Sequence, residues 1–161
     1  LRYFAAEATG TAARDAEAMV LGAHGDSMVP VAEHMSVAGV ALNSILDAHK
    51  IDALSDRTRH GGAEIVGLLK TGSAWYAPAA SAVAMAAAIL RDEQRLMPTA
   101  CLLNGQYGLE GLYMGVPAVL GSSGVESIVE LPLAAEERIQ MQKTAGAISG
   151  DLETLREAGL L

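Results

Sequence analysis

RLMPTACLLNGQYGLEGLYMGVPAVLGSSGVESIVELP, residues 95–132, contains three apolar segments separated by two glycine-rich breaks. RLMPTACLLNG (95–105), GLYMGVPAVLG (111–121) and VESIVELP (125–132) have the length and composition of strands. Asn104-Gly105 through Gly108, and Gly121 through Gly124, supply the residue types that tight turns need. Short breaks join antiparallel neighbours, so this stretch predicts an antiparallel meander.

Outward from the meander the pattern changes to helical. From about Ala134 the chain reads as a long amphipathic helix with Glu136 and Glu137 in its first turn, where the helix dipole favours anions. Met141, Ala145, Ile148, Leu152 and Leu155 form its apolar stripe. Gly146 and Gly150 predict a weak point near Ser149. Before the meander, Pro78 suits the first turn of a helix over Ala79 to Arg91, with Ala80, Val83, Ala84, Ala87 and Leu90 on one face. A further helix is predicted from Ser55 to Lys70, with Gly62, Ile65, Val66 and Leu69 on one face. Gly72 is its expected C-terminal glycine. Residues 1–9 read as a helix ending at Gly10. Segments 17–23 and 28–32 read as short strands, 36–42 as extended chain, and 45–50 as a helical turn. No repeat or linker divides the sequence. The reading is one α+β domain over 1–161, antiparallel strands packed with long helices.

Composition narrows the function. There are 19 acidic against 11 basic residues, a net charge of −8, and the cations are scattered. Nucleic-acid binders carry clustered Lys and Arg, and membrane-surface binders carry polybasic runs, so both classes are disfavoured. No apolar run is long enough to span a membrane. The single cysteine, Cys101, lies in an apolar segment and reads as a buried hydrophobe in a reducing compartment. The chain opens on LRYFAAE, already in helical register with no capping residue before it. The expectation is that a preceding segment exists.

Few residues suggest chemistry. No GxGxxG fingerprint is present, and Lys70-Thr71 lacks the glycine that a phosphate loop places before its lysine. The four histidines, His24, His34, His49 and His60, form no His-x-x-x-His pair and have no cysteine partner, so no metal site is expected. His24 stands apart, in VLGAHGDSMVP (20–30), at a strand end between Gly22 and Gly25. Those glycines let another group approach closely. Histidine exchanges protons near neutral pH, which a general acid–base catalyst requires. Catalysis and a structural turn both remain open for His24, and Asp26 reads as a turn acid.

Four stretches together resemble a known family: GAHGDSMVP (22–30), RTRHGGAEIVGLLKTGSAWYAPAAS (57–81), NGQYGLEGLYMGVPAVLG (104–121), and VESIVEL (125–131) with the closing acidic helix. In order and spacing they are similar to the C-terminal, substrate-binding and catalytic domain of the lactate/malate dehydrogenases. The resemblance is to the bacterial malate dehydrogenases that are lactate-dehydrogenase-like, and it covers nearly the whole chain. It implies NAD, bound mainly by an N-terminal Rossmann half outside residues 1–161. It also implies a D-x-x-R motif ending just before Leu1. The Asp of that motif would orient the histidine, and its Arg would clamp the substrate carboxylate.

Carried across by motif, His24 matches the proton-transferring histidine. Ser73 matches a small hydroxyl residue lining the substrate pocket, with Gly72 leaving room beside it; a plain turn remains the other reading of Ser73. Met28 and Val29 would border the nicotinamide. Two departures stand out: Ala23 where the family often has Gly, and Glu33-His34 where it often has Arg-Tyr. The resemblance implies interconversion of malate and oxaloacetate by a cytoplasmic homo-oligomer, a dimer or tetramer of the full-length protein. Lactate dehydrogenase, and an inert assembly module when isolated, are the alternatives.

Overall fold

The computed structural model describes residues 1–161. Helix α1 spans Arg2–Thr9 and stops at Gly10, whose φ of 69° is the left-handed cap expected of it. Three short strands follow: β1 (Ala16–Glu17), β2 (Val20–Gly22) and β3 (Met28–Pro30). The segment read as extended over 36–42 is a tight hairpin instead, β4 (Ser36–Val37) and β5 (Val40–Ala41). Its turn residues Ala38 and Gly39 both have positive φ, 49° and 82°. Alanine at the first of these positions hid the turn, because the usual signal there is Asn, Asp or Gly.

The helix read as continuous from Ser55 to Lys70 is two helices, α2 (Ala48–Arg59) and α3 (Gly61–Leu69). Asp47 caps α2, accepting from the Lys50 N–H at 2.9 Å. The break falls at His60, directly before the Gly61-Gly62 pair, a common site for a kink. Lys70, not Gly72, takes the left-handed cap of α3, with φ 61°. The expected apolar face of α3 is present but covers nothing, since no residue of this helix is buried. Helix α4 (Tyr76–Leu90) begins three residues earlier than the sequence suggests and buries only Ala88.

The meander forms as expected, from β6 (Arg95–Asn104), β7 (Glu110–Gly121) and β8 (Gly124–Ile128). On β6, Thr99, Cys101 and Leu103 point inward, while Ala100, Leu102 and Asn104 point out. The five-stranded sheet runs β3-β2-β7-β6, with β8 also paired to β7; β1, β4 and β5 make a separate small sheet. Helix α5 (Ala135–Glu157) continues unbroken through Gly146 and Gly150. Packing across the helix, at Met141, Thr144 and Ala145, outweighs the local glycine penalty.

Two cores result. The larger joins the five-stranded sheet to α5 through Leu21, Val29, Met114, Val116, Met141 and Ala145. The smaller gathers α1, α2 and the small sheet around Ala5, Met35, Leu42 and Leu54. Burial pushes the Cys101 thiol above its ordinary pKa, which keeps it neutral in the larger core.

Candidate active site

Strand β2 reaches β7 through one residue pair, Gly22 opposite Gly115. The approach is too close for a side chain, because a Cβ on Gly115 would lie 2.8 Å from the Gly22 carbonyl oxygen. Gly22 itself has φ 85°, a conformation L-side chains rarely adopt, so the chain leaves the sheet sharply there. Gly25 repeats the device with φ 91°, and the Met28 N–H closes the turn on the Gly25 carbonyl at 3.0 Å. Between these two glycines stands His24, exposed to solvent. The local sequence thus presents one imidazole on a turn whose base is fixed to the sheet.

His24 lines a cavity of about 240 Å³, with Ala23, Met28, Thr99, Ala100 and Gly115 among its other walls. His24 is its only ionisable wall residue. Asp26, two residues on, lines a different cavity of about 430 Å³, beside Arg59, Gln140, Lys143 and Thr144. No ion pair joins His24 to Asp26. The acid of the turn and its imidazole thus line different cavities and are not paired.

The other residues singled out by sequence are placed unequally. Met28 shares the His24 cavity. The Val29 side chain is fully buried in the larger core and lies outside the walls of the His24 cavity. Gly72 and Ser73 lie exposed on the turn between α3 and α4, outside the walls of the His24 cavity. Gly72 has φ 87°, which favours glycine there, while a Cβ would make only ordinary contact with the Trp75 indole at 3.4 Å.

Sequence reading missed the groups behind the turn. Thr144 on α5 donates its hydroxyl to the Ser27 carbonyl at 2.7 Å, across 117 residues of chain. Arg59, at the end of α2, reaches the Met28 carbonyl at 3.4 Å and pairs with Asp56 at 2.7 Å. Neither has a local signature. The only hint is a threonine beside Ala145 on the buried stripe of the last helix.

The family described as lactate/malate dehydrogenase, alpha/beta C-terminal domain, matches residues 1–158. Malate dehydrogenase 1 of Anaeromyxobacter dehalogenans is 53% identical over 147 residues, which is 91% of this chain and 47% of the relative. The structure of a malate dehydrogenase from Salinibacter ruber superposes with a TM-score of 0.91 at 42% identity, covering 98% of this chain and 52% of the other. A lactate dehydrogenase from Cryptosporidium parvum, complexed with lactic acid and nicotinamide adenine dinucleotide, gives a TM-score of 0.92 at 38% identity over 96% of this chain and 50% of the other. The chain spans about half the length of the curated relatives it matches. With that match over almost its full length, and with antiparallel strands and helices laid out as in the solved structures, the chain belongs to the lactate/malate dehydrogenase family, as its alpha/beta C-terminal domain.

Proposed function

We propose that this chain is the substrate-binding and catalytic part of an NAD-dependent malate dehydrogenase, with His24 as its acid–base group. The observation that carries the reading is the presentation of one exposed imidazole, between two positive-φ glycines, at the mouth of a cavity with no other ionisable wall. In malate oxidation the His24 imidazole takes the hydroxyl proton as the C2–H bond breaks. In the reverse direction the imidazolium returns that proton to the carbonyl oxygen of oxaloacetate. NAD⁺, when bound, would supply the hydride acceptor for C2.

The His24 cavity suits the nicotinamide end of such a coenzyme and no more. It is small, its wall is uncharged apart from His24, and no cation or helix N-terminus lines it to hold a pyrophosphate. Met28 provides an apolar edge for a flat ring. This reading assigns the dinucleotide grip, the carboxylate clamp and the acid that orients His24 to an N-terminal half outside residues 1–161. Ser73 and Gly72 lie outside the His24 cavity walls, so this reading makes them pocket residues in the full-length protein alone. A cytoplasmic setting is consistent with the single unpaired, buried cysteine.

The test is a pair of assays on the full-length protein, following NAD reduction with malate and with lactate. His24→Asn is expected to lower kcat by roughly 10²–10⁴-fold with the fold intact. Unchanged turnover in that variant sinks the assignment. Preference for lactate moves the reading to lactate dehydrogenase, which the superposition on the Cryptosporidium enzyme favours as strongly as it does malate. A second reading, an assembly module, has its own observation: Leu68, Trp75, Tyr76, Val83 and Leu90 are exposed along α3 and α4. It predicts that the isolated chain associates with itself or with the other half yet turns over no substrate.

A further inference from the structure

The geometry points to Thr144 as a positioning residue for His24, acting from the last helix through the backbone of the histidine turn. This rests on the proposed role of His24. The turn has two stems, Gly22 at the end of β2 and Met28 at the start of β3, which are register partners. Its only internal backbone tie is Met28 N–H to the Gly25 carbonyl at 3.0 Å. Two positive-φ glycines in so short an excursion leave the backbone free to adopt other paths unless something outside the turn holds it.

Thr144 lies beside both stems and bonds the turn next to one of them. Its hydroxyl donates to the Ser27 carbonyl at 2.7 Å, adjacent to Met28. Its methyl packs where a Gly22 side chain would begin, 3.4 Å from that Cβ position. Thr144 is itself 2% exposed, so the hydroxyl makes this bond from the packed face of α5. Helix α5 is in turn fixed against the same sheet by Met141 and Ala145, one turn before and one residue after. The chain of contacts runs from the core through Thr144 to the turn carrying the imidazole. Loss of the hydroxyl frees the Ser27 peptide and lets His24 sample positions away from the reacting oxygen.

The test uses the full-length enzyme and two substitutions. Thr144→Val keeps the shape and removes the hydroxyl. It is expected to lower kcat roughly 10–100-fold, the cost of a small misplacement of a reacting group, with KM for the coenzyme unchanged. The ring-proton NMR signal of His24, assigned by its loss in His24→Asn, should broaden or split. Thr144→Ser keeps the hydroxyl and should restore kcat to within about threefold of wild type and return a single sharp signal. A kcat for Thr144→Val within twofold of wild type overturns the inference, as does an equal loss in both variants, which would assign the effect to packing. Should the valine protein fail to fold, Thr144→Cys replaces it, its thiol being a weak donor, with the same two outcomes. A neutral Thr144→Val beside an inactive His24→Asn removes this inference alone. An active His24→Asn removes the proposed function itself.

Discussion

Helices α5 and α3 were both legible as amphipathic, yet the folded chain treats them in opposite ways. The stripe of α5 sinks Met141 and Ala145 into the larger core, while α3 carries Ile65, Val66, Leu68 and Leu69 in the open. An apolar stripe records that a face is built to be covered; it does not record by what. Helix α3 stays in place by other means. Arg57 of α2 forms a two-point contact with Glu64, at 2.7 and 3.0 Å, also pairs with Glu7, and lies 4.0 Å over the Phe4 ring. The same ring lies against Gly61 at the start of α3, 3.6 Å from where a Cβ would be, an ordinary contact distance. One helix is held by burial, the other by charge and a single aromatic.

The sharpest way to break this contrast is to truncate one side chain on each helix. Met141→Ala is expected to cost about 2–5 kcal/mol in thermal or denaturant unfolding. Leu68→Ser, at a position 75% exposed, should stay within about 0.5 kcal/mol. Equal losses would mean that the α3 face is covered in solution. A smaller effect separates two glycines. Gly115→Ala drives a Cβ against the Gly22 carbonyl, backbone on backbone, and should cost roughly 1–3 kcal/mol and lower activity with it. Gly67→Ala on α3 meets nothing within 4 Å and should add stability, up to about 1 kcal/mol. A destabilised Gly67→Ala would show that α3 is packed more closely than its exposure indicates.

The smallest effect is one of pH. The hydrogen bond and charge of Arg57 hold the Glu64 carboxyl below the usual carboxylate range. A depressed folded-state pKa adds stability above the unfolded value, about 4.3, and that stability fades as the pH falls through the lower folded value. Arg57→Gln should therefore melt below wild type at neutral pH, with the gap closing as the solution is acidified past that range. A gap that persists in acid would place the role of Arg57 in its stacking on Phe4 rather than in its charge. Both groups are partly solvated, so the difference should also shrink in high salt.

How much the sequence disclosed followed the range of each interaction. The meander was legible because strands 95–132 alternate and turn locally, and α1 because Gly10 marks its end. The hairpin at Ala38-Gly39 was missed because alanine stands where a turn residue is usual, and the α2–α3 break because Gly61-Gly62 fits a helical face as well as it does a kink. At the site, the glycines around His24 announced a special turn without announcing its use; the use proposed for it comes from the resemblance across four motifs. Met28 and Val29 read alike as neighbouring apolar residues, yet the Val29 side chain is buried in the larger core while Met28 is half-buried on the cavity wall. Thr144 and Arg59 left no local trace because their partners are 117 and 31 residues away.

Those long spans also bear on how the chain matures at the ribosome. Ser27 waits for Thr144, and the Ala32 N–H waits for the Glu137 carboxylate, which accepts it at 2.9 Å across 105 residues while also accepting the Ala134 N–H at 2.9 Å. At synthesis rates of about 5–20 residues per second, the histidine turn is made roughly ten seconds before the helix that completes it. Until α5 emerges, β2 and β3 have a bare face where Met141 and Ala145 belong. A message cut short in its last stretch therefore yields a chain that carries the histidine but lacks the helix that braces its turn, and which shows that face to proteases and chaperones.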